Sequence, residues 1–228
     1  MNMAARLSKE ELKGPDAFQS TVELITNYIA ENQKRFYSIV TAIVLAVIIA
    51  FGIYMYWDHY QTSARAIYAK VQKDVTPGME SPENTAMKIK SYQELIQKYP
   101  HSWSARMAHY HLGNIYYNSG EFDKAISDYK KFVASRISNS SGIKFLALTS
   151  IGYCYEAKQD FKSALDYFEK AQKSNNVGFE AVGFTNIARI YEQMNDKKNA
   201  LDYYKKALEK STDPSKSVFI KYKIASLS

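Results

Sequence analysis

The sequence predicts an all-α chain: a single N-terminal transmembrane helix followed by an α-solenoid of helical hairpins. Three observations carry that expectation. An uncharged run extends from Phe36 to Trp57, a pattern of small and aromatic residues recurs three times beyond it, and the 228 residues include only nine Gly and five Pro. So few turn formers favour long helices over a turn-rich β-sandwich, and nineteen Tyr with eleven Phe supply ample apolar area for a core. One Cys rules out an internal disulfide, a Cys-rich zinc site and a CxxC redox pair.

Residues 1–35 form the first segment, which the charge pattern below assigns to the cytoplasm. Ser8-Lys9-Glu10-Glu11 has the spacing of a capping box, and Gly14-Pro15 then interrupts the chain before Asp16, placed to cap a second helix. Phe18, Val22, Ile25 and Ile29 follow at helical intervals. Their stripe suits the plane of a membrane interface and equally the surface of a partner protein.

Residues 36–57 form the span. At 1.5 Å per residue FYSIVTAIVLAVIIAFGIYMYW reaches roughly 30 Å, the thickness of a bilayer's hydrocarbon core. Lys34, Arg35, Phe36 and Tyr37 stand at one end, and Tyr54, Tyr56, Trp57 and Tyr60 at the other, where amphipathic side chains settle among headgroups. The run is too long for a cleaved signal peptide and YMYWDHY offers no small-residue cleavage site, so an uncleaved anchor is expected. Ser38, Ala42, Ala46 and Ala50 recur every four residues and line one face, where a second helix, of the same chain type or another, could approach closely. Lys34 and Arg35 abut the N-terminal end, whereas Arg65, Lys70 and Lys73 lie further from the other end. The positive-inside rule then places the N-terminus inside and residues 58–228 outside.

In residues 58–102, TSARAIYAKVQ (62–72) and AMKIKSYQELIQKYP (86–100) read as a helical pair joined by DVTPGMESPEN, with Ser81 and Pro82 suited to a cap and first turn. Residues 103–214 hold the recurrence. HYHLGNIYYNSGEFDKAISDYKKF (109–132) contains Leu112-Gly113, Tyr116, Gly120, Ala125 and Tyr129. LTSIGYCYEAKQDFKSALDYFEKA (148–171) contains Ile151-Gly152, Tyr155, Ala164, Phe168 and Ala171. FTNIARIYEQMNDKKNALDYYKKA (184–207) contains Ile187-Ala188, Tyr191, Ala200, Tyr204 and Ala207. Gly113, Gly152, Ala188, Ala125, Ala164 and Ala200 are small where a neighbouring helix presses close, and the aromatics fill the space between paired helices. SKSVFIKYKIASLS (215–228) is long enough for a closing helix over the last repeat.

These motifs resemble the tetratricopeptide repeat, a helix-turn-helix unit of about 34 residues with the signature W-x2-L-G-x2-Y, A-x3-F, A, P. The resemblance covers roughly residues 103–214, with residues 58–102 as a degenerate first hairpin. Phe132 departs from it, standing where Ala is expected, and so do stretched loops at 137–143 and 174–179. It implies a groove lined by the first helix of each pair, and the family's groove positions fall on Tyr110, Asn114 and Tyr117, on Thr149, Tyr153 and Glu156, and on Thr185, Arg189 and Gln193. Such a lining suits protein partners presented as extended or helical peptides. The Lys/Asn arrangement that clamps a chaperone's C-terminal carboxylate in some members is not matched.

No phosphate-binding Gly loop, G-x-S-x-G elbow or H-E-x-x-H motif occurs. His109 and His111 are two apart on a helix and point to different faces, and Cys154 sits inside a repeat helix as a small core residue. Neither enzyme activity nor a metal or cofactor is expected. Residues 1–57 hold five Lys+Arg and five Asp+Glu, so the whole net charge of +7 resides in 58–228. The lysines at 197, 198, 205, 206, 210, 216, 221 and 223 crowd its end and could attract anionic lipid, acidic partners or wall polymers. Asp202, Glu209 and Asp213 among them also fit an ordinary solvated face. Without a recognisable reading module, nucleic acid is not expected as a partner.

Anchor and array together resemble in layout the ancillary SecYEG-translocon subunit family: single-pass bacterial inner-membrane proteins with a cytoplasmic N-terminus and a periplasmic tetratricopeptide domain. That likeness implies translocon subunits, periplasmic chaperones and exported polypeptides as partners. The chain differs from this family in its longer N-terminal segment and its basic, Tyr-rich repeats. The stretch 99–132 also resembles repeats of envelope-assembly factors, which leaves a structural scaffold for division, wall synthesis or appendage assembly as the alternative, alongside a cytoplasm-facing chaperone-docking receptor of opposite topology. The absence of a Cys near the N-terminus speaks against a lipoprotein.

Overall fold

The computed structural model describes residues 17–73, 81–135, 142–174 and 177–227, and among these every regular element is helical. The helices are α1 (Ala17–Glu31), α2 (Gln33–Lys73), α3 (Pro82–Lys98), α4 (Trp103–Asn118), α5 (Phe122–Val133), α6 (Ile143–Ala157), α7 (Phe161–Gln172), α8 (Glu180–Gln193), α9 (Lys197–Lys210) and α10 (Pro214–Leu227). The chain divides into two units, Met1–Asp58 and His59–Ser228.

The first unit holds α1 and the apolar part of α2. Asn32 donates its N–H to the Tyr28 carbonyl, and Phe36 donates to that of Asn32, so helical hydrogen bonding bridges the junction between the two elements. The stripe Phe18, Val22 and Ile25 is exposed on α1, and Ser38, Ala42, Ala46 and Ala50 are all exposed on α2. Helix α2 alone among the described residues is long and apolar enough to cross a membrane, and none of its most apolar stretch is buried. An uncovered apolar cylinder of this kind is favourable in hydrocarbon, where backbone polar groups must be satisfied within the helix. The capping box at Ser8–Glu11 and the break at Gly14-Pro15 lie outside the described residues.

In the second unit each helix from α4 onward packs on its predecessor in the chain, most closely within the pairs α4/α5, α6/α7 and α8/α9. The close approach within the first two pairs comes from glycine: a Cβ on Gly113 would stand 2.6 Å from the Tyr129 ring, and one on Gly152 2.6 Å from the Phe168 ring. Tyr129, Phe168 and Tyr204, at one position of the second helix of each pair, are fully buried. The core is a succession of clusters along the array, as expected where each unit touches only its neighbours.

The three hairpins turn in the same way. Gly120, Gln159 and Asn195 occupy the same repeat position and all adopt the left-handed conformation, with φ of 74°, 62° and 59°. At each, the residue donates to the carbonyl three before it and the next residue to the carbonyl five before, closing the first helix as a Schellman turn. Asp160 and Asp196 then cap α7 and α9 by accepting from Ser163 N and Asn199 N.

Residues 58–102 meet the array differently from the other hairpins. The end of α2 and α3 meet mainly through long side chains: the Tyr68 and Tyr92 rings lie 6.3 Å apart, and Gln72 Nε2 donates to Tyr92 Oη at 2.9 Å. Tyr60 Oη and Gln61 Oε1 accept from the backbone N–H groups of His101 and Trp103, donors that the start of α4 leaves without intrahelical partners. Ser81 caps α3 by accepting from Asn84 N, with Pro82 in the first turn. Phe132, the departure from the repeat signature, is fully buried against Tyr110. Of the two stretched loops, residues 137–141 and 175–176 lie outside the described residues.

Candidate functional site

The first helices of the three pairs, α4, α6 and α8, carry all nine expected groove residues, but the structure uses them unevenly. On α4, Tyr110 packs on Phe132 with ring centroids 5.3 Å apart, and Asn114 Oδ1 accepts from Tyr129 Oη at 2.7 Å. Both side chains therefore serve their own hairpin. Tyr117 is half-buried, edge-on to Phe122. Thr149 on α6 is 5% exposed, which corrects its placement: it belongs to the packed interior, where Leu148 and Ile151 beside it are also buried, and cannot line an open groove.

Tyr153, Glu156 and Arg189 are brought together between α6 and α8. Arg189 Nη2 lies 2.7 Å from Glu156 Oε2, and its guanidinium stands 5.4 Å from the Tyr153 ring centroid. Tyr153 Oη donates to Asn186 Oδ1 at 3.1 Å. A planar cation over an aromatic face, held by a carboxylate, gives a rigid patch across two repeats. Thr185 turns its hydroxyl onto the Ala181 carbonyl, and Gln193 is exposed at the end of α8.

Sequence reasoning expected residues 215–228 as a closing helix over the last repeat but ended the groove at α8. Ile220 fits against Ala188, Tyr204 and Ala207, so α10 continues the array as a further first-type helix. The signal was available: Ile187 and Tyr191 recur as Ile220 and Ile224 at the same offset, which sets Val218 and Tyr222 in register with Thr185 and Arg189. Those two side chains are 69% and 68% exposed. Between α8 and α10 lies a cavity of about 220 Å³ walled by Val182, Thr185, Asn186, Lys216, Phe219 and Ile220. Only Thr185 among these was an expected site residue. A larger hollow, about 430 Å³, lies between α3 and α4 beside Ile89 and Ile115.

The polar residues that could have signalled chemistry are absorbed by packing. His109 Nδ1 lies 2.7 Å from Asp128 Oδ1 on α5, whereas His111 Nε2 lies 2.7 Å from Tyr68 Oη on α2, so the two rings face different elements. Burial pushes the Cys154 thiol up to about 12, which leaves it protonated and unreactive at neutral pH. The described residues contain no group of three or more side chains able to hold a metal ion. Of the end lysines, Lys206 pairs with Asp202 at 2.6 Å one helical turn away and Lys223 with Glu192 at 2.8 Å, as on an ordinary charged face.

Comparison with known proteins gives the same architecture. The profile of the family described as tetratricopeptide repeat-like domain matches residues 30–228. No curated protein matches the chain significantly. Among solved structures, a crystal structure of MamA is 19% identical, over 64% of this chain and 77% of that one, with a TM-score of 0.52. PilF of Pseudomonas aeruginosa is 18% identical over 75% and 68% of the two chains, with a TM-score of 0.52. A double mutant of MamA from RS-1 is 14% identical over 67% and 78%, with a TM-score of 0.53. At these identities the likeness concerns the fold alone.

Proposed function

Because the chain belongs to the tetratricopeptide repeat-like domain family, we propose that it is a membrane-anchored adaptor whose groove binds exported polypeptides or periplasmic chaperones beside the secretion translocon of a bacterial inner membrane. One observation carries the reading: an apolar helix with no buried face and a peptide-binding type of array lie on one chain, and the family match takes in both. The mechanism is local concentration. Tethering beside a channel turns a weak groove contact into an effectively intramolecular one, so modest affinity suffices. Lys34 and Arg35 at the start of the span support an N-terminus in the cytoplasm and residues 58–228 in the periplasm. The exposed small face Ser38, Ala42, Ala46 and Ala50 is where a translocon helix would pack.

The test has two arms. Protease added to intact spheroplasts digests residues 58–228 if they face outward; protection until lysis places the array in the cytoplasm and makes the protein a docking receptor there. A photoreactive residue at Tyr117 or Arg189 then crosslinks to newly exported chains or chaperones. A structural scaffold is the second reading, favoured by the Glu156–Arg189 pair, which consumes the groove's central charges internally. It requires fixed partners in stoichiometric amounts after purification, and capture of heterogeneous clients instead removes it.

A further inference from the structure

The apolar stripe of α1 runs into the start of α2 without losing register. Phe18, Val22, Ile25, Ile29, Asn32 and Phe36 follow one another at alternating intervals of four and three residues, the spacing of a coiled-coil seam. Phe18, Val22 and Ile25 are exposed. The stripe is also narrow, because Gln19, Thr21, Thr26 and Gln33 beside it are polar, and a helix built to rest on a broad apolar surface carries a wider face.

Two observations turn this stripe away from lipid. Glu23 and Glu31 are the only charged residues of α1, whereas helices that lie in a membrane interface present Lys and Arg to anionic headgroups. Residues 17–51 contain no Gly or Pro, and helical hydrogen bonds run through Asn32. Nothing in the backbone therefore breaks the helix to let α1 fold down from α2 onto a surface.

Two further observations fit a second copy of the same chain. Identical anchors insert in one direction and at one height, so their helices meet in parallel and each seam residue faces its own counterpart. Such pairing tolerates no like charges along the seam's flanks, and positions 19, 21, 26, 28 and 33 carry none; Glu23, Glu31 and Lys34 fall on the outer faces. Asn32 gives one of its two amide N–H groups to the Tyr28 carbonyl at 3.2 Å. Opposite Asn32 of another copy, the remaining N–H and the side-chain carbonyl find matching partners, and only an in-register pair provides them.

We propose that residues 18–36 form a parallel, in-register coiled coil with a second copy of the chain, just before the span. The proposal rests on the membrane-anchor reading above, which supplies the common direction. Beyond Phe36 the helix is apolar on every side and the pattern singles out no seam, so the small face Ser38, Ala42, Ala46 and Ala50 stays available to another helix. Two arrays are thereby tethered to one rod, and a client carrying two recognition segments meets the second at high effective concentration.

The experiment places single cysteines along α1 of the full-length chain, expressed in one cell in two differently tagged forms, and oxidises freshly broken cells with copper phenanthroline. Cys154 is fully buried, so the chain without an added cysteine supplies the background. Val22→Cys, Ile25→Cys and Ile29→Cys bring two sulfurs into bonding range across the seam, whereas Glu23→Cys and Asn27→Cys hold them apart on outer faces. The first three should give at least about tenfold more adduct carrying both tags than the last two. Adding Ile25→Glu to the Ile29→Cys chain sets two carboxylates together in the seam and should lower its adduct by about tenfold or more. Adducts that never carry both tags identify a different protein partner, no adduct at any position leaves the stripe to lipid, and equal yields at all five positions report random collision; each overturns the proposal. Sodium carbonate extraction is read on the same cells. Extraction of the chain with the adduct pattern intact removes the anchor reading and keeps the pairing, whereas resistance to extraction with no adduct keeps the anchor and removes the pairing.

Discussion

The Tyr129 ring occupies the space that a side chain on residue 113 would need, and it cannot move aside freely. It is fully buried and its hydroxyl is held by Asn114. Gly113→Ala gains up to about 1 kcal/mol of helix propensity but forces this ring out of place, so a net loss of about 1–2 kcal/mol is expected in urea unfolding. His111 is a second residue whose surroundings decide its behaviour. Its ring stacks on Tyr92 at 5.7 Å and touches Tyr68 Oη and Gln72 Nε2, with Tyr110 edge-on and no carboxylate among these contacts. Burial holds its pKa below the ordinary histidine value. The folded state thus disfavours the protonated ring, and the unfolded chain binds the extra proton first. Stability is unaffected well above pH of about 6.5, falls as the pH drops from there through the folded value, and levels off below it. Unfolding midpoints measured from pH 7.5 down to pH 5 should decline more steeply, by roughly the folded-state shift, in the wild type than in His111→Gln.

At the scale of the element, the hairpin turns show how one backbone requirement is met by three residue types. The left-handed residue is glycine in the first repeat but Gln159 and Asn195 in the next two. A β-carbon in that region costs roughly 1–2 kcal/mol, and glycine's extra freedom in the unfolded chain returns part of the gain. Gln159→Gly should therefore stabilise the array by about 0.5–1 kcal/mol, readable as a higher denaturant midpoint. Helix α10 is tied to the array by Lys223, whose Nζ lies 2.8 Å from Glu192 Oε1, while Tyr204 Oη donates to Glu192 Oε2 at 2.9 Å. Burial pushes the Glu192 carboxyl up, but the bonds from Lys223 and Tyr204 outweigh it and hold the group below its ordinary value. The unfolded chain therefore takes up the proton at higher pH than the folded one. The pair's contribution is present above pH of about 4.3 and is lost as the pH falls through the folded value. Lys223→Met should lower stability by up to about 1 kcal/mol at neutral pH, and its unfolding curve should converge on that of the wild type in acid.

For the molecule as a whole, stability is distributed along the stack, because each hairpin buries its faces only on its neighbours. Ile220 is fully buried against Ala188, Tyr204 and Ala207. Ending the chain before Pro214 uncovers that cluster. Amide exchange should then accelerate in α8 and α9, while α4 and α5, two hairpins away, keep their protection. Uniform loss of protection would mean that the array unfolds as one unit.

Much of this architecture was legible in the sequence, and the physical reason is locality. The long apolar helix needs only an uninterrupted apolar run, and the repeat needs only small residues at the helix crossing with aromatics beside them, all within one hairpin. Gly113, Gly152 and Ala125 could therefore be assigned their place before any neighbour was known. The groove was less legible because a register position says which side of a helix a residue occupies, not what already stands there. Thr149 took a groove position by spacing yet is buried, Asn114 is bound to Tyr129, and Glu156 and Arg189 neutralise one another across two repeats. Asn186 and Phe219 carried no motif at all. Their surroundings exist only in the stacked array, where α10 lies beside α8 and the Tyr153 hydroxyl, distant in sequence, donates to the Asn186 amide. The sequence by itself determined the helices, the long apolar run among them, and the repeat, since those follow from contacts a few residues apart. Which side chains remain free to meet a partner was decided by tertiary packing, because only the stacked array determines which polar groups are satisfied and which surface is left open.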